Sequence, residues 1–179
     1  MFPISHFNIT RTPFYYYDKT LLSNTLAKLI RLAGERNYHI HYAVKANANP
    51  EILKLIAASG IGADCVSGGE IKAALEAGFP AKKIVFAGVG KADWEIEYAL
   101  EKKIFCFNVE SAEELSVIEE LAKKKENIAS IALRINPNID AHTHEYITTG
   151  LSENKFGIPI EMLDSIFSQI QRSQHVQLV

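Results

Sequence analysis

Short apolar runs alternate with longer segments of helical spacing along the whole chain. The runs are Phe14–Tyr17, Ile40–Val44, Asp64–Val66, Ile84–Phe86, Phe105–Phe107 and Ser130–Ile135, and each reads as a strand. Between the first two, Leu22, Leu26, Leu29, Ile30 and Ala33 make one apolar stripe along a helix over Leu21–Ala33. Ser111-Ala112-Glu113-Glu114 is a capping box, a hydroxyl followed three residues on by a carboxylate. Leu115, Ile118, Leu121 and Ala122 continue that helix on one face, while Pro50 and Pro159 suit the first turns of two others. The terminal His175-Val176-Gln177-Leu178-Val179 opens a further strand.

Strand, helix, strand at a period of about 20–25 residues predicts βαβ units and a parallel sheet. An open doubly wound sheet and a closed (β/α)8 barrel both satisfy that rhythm. The strands are nearly continuous in apolar residues, as burial on both faces requires, except for Arg134. A charge there must point to water or to a partner, and a barrel mouth offers such a place. No Gly-x-Gly-x-x-Gly follows a first strand, which weakens the dinucleotide-binding form of the open sheet. From Ile40 onward the pattern gives five strands, or six with the terminal one, whereas a complete barrel needs eight and about 250 residues. The expectation is therefore an open sheet or the N-terminal part of a longer barrel protein.

Composition narrows the partners. The 179 residues are 47% hydrophobic and 22% charged with a net charge of −2, so no basic excess invites nucleic acid. Cys65 and Cys106 each lie in an apolar run, which suits a reducing cytosol better than a disulfide framework. The N-terminus lacks a cationic segment followed by a long apolar one, and no apolar stretch approaches the about 20 residues of a membrane span. A cytoplasmic protein is expected.

Candidate chemistry begins with Lys45, which ends the run Ile40–Val44 where parallel α/β proteins place their reactive groups. Apolar neighbours disfavour an ammonium and would leave a neutral amine able to attack an aldehyde. A solvated strand-end lysine explains the position equally simply. His142 and His144, spaced i and i+2 like His39 and His41, admit a metal-dependent hydrolase, although a catalytic zinc needs a third ligand. Gly88-Val89-Gly90-Lys91-Ala92 lacks the Walker frame and reads as a tight turn. Ser67-Gly68-Gly69 before a helix offers free amides to an anion, or is a plain helix entry. Lys123-Lys124-Lys125 reads as a solvated helix C-terminus.

A family resemblance sharpens this reading. Tyr42-Ala43-Val44-Lys45-Ala46-Asn47, with the helix spacing that follows through Gly60, resembles the cofactor-attachment segment of the ornithine/diaminopimelate/arginine decarboxylase family, which has an alanine-racemase-like barrel. Residues 62–71 are similar to the family's next strand, and Thr12–Asp18 to its entry strand. Residues 144–158, His-Glu-Tyr-Ile-Thr-Thr-Gly through Lys-Phe-Gly-Ile, resemble the diaminopimelate decarboxylase branch. The resemblance implies a partial α/β TIM-type barrel over residues 21–179, with residues 1–20 supplying an entry strand to a C-terminal β-domain. It implies that Lys45 holds pyridoxal 5'-phosphate covalently, that Asp64, Glu70 and Arg134 line the cofactor site, and that His144 lies in a substrate loop. For Glu70 a helix-start acid favoured by the dipole explains the position as well.

The implied reaction is decarboxylation of meso-2,6-diaminopimelate to L-lysine by a homodimer. By the same resemblance the ring-stacking histidine, the glycine-rich phosphate loop and the acid at the pyridine nitrogen come later than residue 179, so these residues alone should be inactive. Decarboxylases of ornithine, arginine or carboxynorspermidine share the cofactor. Alanine racemases typically carry a Tyr-Gly-His-Gly type run after the lysine, which is absent here, and small pyridoxal-phosphate carrier barrels are a non-catalytic alternative.

Overall fold

In the computed structural model, residues 3–137 and 156–179 are described. Eight strands and seven α-helices follow in order: α1 Ile4–Phe7, α2 Lys19–Gly34, β1 His41–Ala43, α3 Pro50–Ala58, β2 Gly62–Cys65, α4 Gly68–Glu76, β3 Ile84–Phe86, α5 Asp93–Lys102, β4 Cys106–Val109, α6 Ala112–Lys124, β5 Ala129–Leu133, β6 Ile135–Asn136, β7 Ile158–Pro159, α7 Leu163–Arg172 and β8 Val176–Leu178. Six strands form one parallel sheet in the order β1-β2-β3-β4-β5-β8, and β6 pairs with β7 in a small second sheet. Strand order follows chain order without reversing, as in a barrel wall and unlike a doubly wound sheet with its switch point. The six-strand count matches the pattern from Ile40 onward.

The register divides the sheet into two faces. Ala63, Cys65, Ile84, Phe86, Phe107, Val109 and Ile131 join helix residues such as Ile52, Ile56, Ile71, Leu115 and Ile118 in one apolar core. On the other face Ala43 sits beside Asp64, Asp64 beside Val85, and Val85 beside Cys106. Asn108 pairs with Ala132, so the two-residue alternation carries this face on to Arg134, just beyond β5. One face therefore packs the helices, and the other collects the chain's polar strand residues.

Helix ends follow local chemistry. Asn49 caps α3 by accepting from Glu51 N at 3.0 Å, with Pro50 in the first turn as expected. In α6, Ser111 Oγ accepts from Glu114 N at 3.1 Å and the stripe of Leu115, Ile118, Leu121 and Ala122 is buried. Glu114 Oε2 returns its bond to Glu110 N at 2.9 Å, one residue ahead of the usual capping-box donor.

Four expectations differ from the structure. Phe14–Tyr17 forms no strand, since nothing within the described sheets pairs with it, and all four residues are exposed. The α2 stripe is only partly covered: Leu26 and Ala33 are buried, but Leu29 is 44% exposed, because α2 precedes β1 at the sheet edge. Ser130–Ile135 is two strands, broken at Arg134, and Pro159 lies in β7 and precedes a 3-10 turn over Ile160–Met162 instead of starting an α-helix.

Candidate functional site at the carboxyl ends of the strands

Lys45 lies in a 3-10 turn, Val44–Ala46, directly after β1. Its loop is fixed by amides: Asn47 Oδ1 accepts from Asn49 N at 2.9 Å, Asn47 Nδ2 donates to the Tyr17 hydroxyl at 3.1 Å, and Tyr42 donates to Asn47 O at 3.1 Å. These bonds explain why the strand gives way at once to small and amide residues. The apolar enclosure expected for Lys45 is not found, since the residue is exposed. The fold supplies location: Lys45 stands on a hydrogen-bonded turn at the carboxyl end of the sheet.

Asp64, on β2 beside Ala43, is half-buried. Burial raises its carboxyl above the usual range, while the nearby Lys45 and His41 charges pull the other way. Its Oδ1 is buried without a hydrogen-bond partner among the described residues. A carboxylate desolvated next to an exposed amine is costly for folding and useful for binding.

Glu70 stands at the start of α4. Its Oε2 accepts from Val66 N at 2.8 Å and its own amide donates to Ser67 Oγ at 3.2 Å, so it closes the N-terminus of α4. Ser67-Gly68-Gly69 is likewise occupied from within the protein. Glu95, 8% exposed, accepts from Gly68 N at 2.7 Å and from Ala92 N at 3.0 Å, tying the starts of α4 and α5 together. A Cβ on Gly68 would sit 2.9 Å from the Trp94 ring, which covers the same turn.

Arg134 finds the partner its strand demanded. Its Nη1 donates to both oxygens of Glu110, at 3.1 and 3.0 Å, and its guanidinium lies 5.6 Å from the Phe156 ring centre. Gly157, at φ +100°, lets the chain approach so closely that an added Cβ would stand 2.9 Å from Arg134 O. Ile158 N donates to that same carbonyl at 2.7 Å. His142 and His144 lie outside the described residues. Among the described residues no group of three or more His, Cys, Asp or Glu could hold a metal ion, and His41 stacks on Phe105.

Two charged groups went unassigned in the sequence. Glu110 follows β4 and its side chain is 4% exposed. Lys91, read only as part of a turn, is buried, and its Nζ donates to Gly88 O at 2.7 Å, Asn108 O at 2.9 Å and Glu114 Oε1. It also lies 5.4 Å from the Phe86 ring centre. The signal that singled out Lys45, a charge at the end of an apolar strand, was present for Glu110 as well. After β3 the chain bends at Val89, with Gly88 at φ +102°.

Chain-ordered parallel strands with helices on one face make this a (β/α)-barrel type of fold, in which the carboxyl ends of the strands are the place for a site. The chain belongs to the pyridoxal-dependent decarboxylase family, whose pyridoxal binding domain model matches residues 23–179. It is 57% identical to the diaminopimelate decarboxylase of Bacteroides thetaiotaomicron over its whole length and 47% identical to that of Helicobacter pylori strain J99 over 97% of it. It spans 47% and 43% of those two proteins. The crystal structure of Helicobacter pylori diaminopimelate decarboxylase complexed with L-lysine matches 98% of the chain and 45% of its own length, with TM-score 0.84 and 44% identity. The crystal structure of diaminopimelate decarboxylase from M. jannaschii matches 99% of the chain and 43% of its own length at TM-score 0.89 and 36% identity.

Proposed function

We propose that this chain is the cofactor-anchoring half of a pyridoxal-5'-phosphate-dependent decarboxylase that converts meso-2,6-diaminopimelate to L-lysine and carbon dioxide. The observation that carries the reading is that Asp64, whose buried Oδ1 has no hydrogen-bond partner among the described residues, feels the charge of the exposed Lys45, in a chain so similar to diaminopimelate decarboxylases. These residues fit an aldehyde-bearing cofactor: the amine is reachable and the neighbouring carboxylate has unused acceptor capacity.

Lys45 would hold the cofactor covalently and, once released by an incoming amino acid, would be placed to move protons. Asp64 would keep that amine oriented. Arg134 would present a fixed positive charge to the bound group. Glu70 would hold the β2–α4 turn on which Asp64 depends. When bound, pyridoxal phosphate supplies an electron sink for the pair left by departing carbon dioxide. Residues 21–179 are read as barrel wall and residues 1–20 as the lead-in to a β-domain, in a cytoplasmic homodimer. His144 is read as a substrate-loop residue.

Borohydride treatment of the cofactor-loaded full-length protein should fix a pyridoxyl group on Lys45. A label on a different lysine, or normal turnover by Lys45→Ala, rejects the proposal. A substrate panel decides among diaminopimelate, ornithine and arginine.

A further inference from the structure

We propose that Glu110 is a positioning residue, which aims the Arg134 guanidinium across the carboxyl ends of the strands and is itself held by the Lys91–Glu114 pair. The inference rests on the cofactor site proposed above, to which Arg134 belongs.

The geometry is a chain of supports running outward from the core. Lys91, its side chain 1% exposed, is held by two backbone carbonyls and by Glu114 Oε1. The other oxygen of Glu114 holds Glu110 N, which fixes the backbone at the end of β4. Glu110 then holds Arg134 with both oxygens on one nitrogen. The Glu110 side chain is 4% exposed and that of Arg134 50%. The carboxylate is thus buried, and the guanidinium it holds is half-exposed.

Among the described residues both contacts run through Nη1, so the fork's other donors are not engaged by Glu110. Phe156 packs against the cation from another element. An arginine left unheld would spread over many rotamers, and a ligand would have to order it on binding. Held from behind, it is ordered before the ligand arrives. A buried glutamate serving only the fold would need one good partner. Here the partner is the half-exposed end of a long side chain, on the face that carries Asp64.

The test uses the full-length protein in two forms. Without cofactor, Arg134 is modified by phenylglyoxal and its rate is followed by peptide mass mapping. In Glu110→Gln the Arg134 rate should rise about three- to tenfold, the span expected for losing a charge-assisted bond at a half-exposed site. Glu110→Asp should fall between the two, and other arginines should be unchanged. With cofactor, Glu110→Gln should lower kcat about tenfold in the wild-type background and by less than twofold in an Arg134→Lys background.

Equal Arg134 labelling rates in wild type and Glu110→Gln, or additive kcat losses, overturn the inference. Borohydride labelling of Lys45 in the same preparations separates the two readings: if Lys45 carries the group while the cycle is additive, only the role of Glu110 fails. If Lys45 is unlabelled, the cofactor site fails first. Melting temperatures within a few degrees of wild type show that each variant is folded.

Discussion

Lys91→Met is the sharpest probe of the charged layer beneath the site. Methionine keeps an unbranched apolar stem near Phe86 and removes only the ammonium. The lost contacts are bonds to Gly88 O, Asn108 O and Glu114. With side chains 1% and 13% exposed, water screens this pair weakly. The two carbonyl bonds contribute about 1 kcal/mol each, and leaving Glu114 without its cation brings the total to about 3–4 kcal/mol. At about 2 kcal/mol per molar urea, the unfolding midpoint should fall by about 1.5–2 M. Lys124→Met is the control, because Lys124 pairs with Glu120 only at an exposed i,i+4 site. Its urea midpoint should match wild type. Adding Glu114→Gln to Lys91→Met removes the stranded charge and should recover at least about 1 kcal/mol. A Lys91→Met cost below about 1 kcal/mol, or a double variant that is simply additive, refutes the claim that this pair is a buried brace.

Other outcomes follow from the same coordinates. Gly157→Ala should destabilise by about 1–3 kcal/mol, because φ is +100° and the new methyl would stand 2.9 Å from Arg134 O; a urea midpoint equal to wild type contradicts it. Gly62→Ala should cost a similar amount, since its Cβ would lie 2.3 Å from the His41 ring and 2.4 Å from Lys83 O. Burial pushes the Cys65 thiol up to about 12 and the Cys106 thiol up to about 11, from 9.0. Both groups keep a proton in the fold that the unfolded chain loses above pH 9, so their stability contribution is complete below that and declines as pH rises. The loss is about 1.4 kcal/mol per pH unit for each thiol, ending near pH 12 and 11. Native-state thiol labelling at pH 8 should accordingly be negligible, and a rapid reaction at either cysteine would contradict the burial. Asp64→Asn should leave folding stability unchanged or slightly higher, because burial disfavours the charged carboxyl, yet lower turnover of the full-length enzyme; a clear drop in melting temperature would recast Asp64 as structural.

The sheet was legible because two signals agreed at each element: apolar runs of strand length, and helical stripes opened by caps such as Asn49 and Ser111. The failures come where tertiary context decides. Phe14–Tyr17 has the composition of a strand but joins no ladder of the described sheets and is exposed, so composition alone does not make it a strand. The α2 stripe was correct in phase and too wide in extent, because a helix beside an edge strand has less sheet to cover. Arg134 was legible as an anomaly, a charge in an apolar run, and the inference that it required a partner led to the right kind of neighbour. Glu110 itself was not found, because it looked like an ordinary residue ahead of a capping box.

That oversight bears on how the site is built. Ser111 and Glu114 form a recognisable helix start, yet Glu114 also clamps Lys91 and holds Glu110 N, so one local motif fixes the α6 terminus and the foundation under Arg134. The same economy recurs at Glu95, which joins two helix starts, and at Glu70, which closes the turn after Asp64. Carboxylates in first turns are favoured by the helix dipole whether or not they serve a site. In a parallel sheet, however, every helix start lies near the carboxyl ends of the strands, where function is placed. Capping acids are therefore already at the site's boundary, and a second hydrogen bond from such an acid links a helix end to the reactive face. Asp64 stands at the inner end of this frame, its turn closed by Glu70, with a buried carboxylate oxygen that has no hydrogen-bond partner among the described residues.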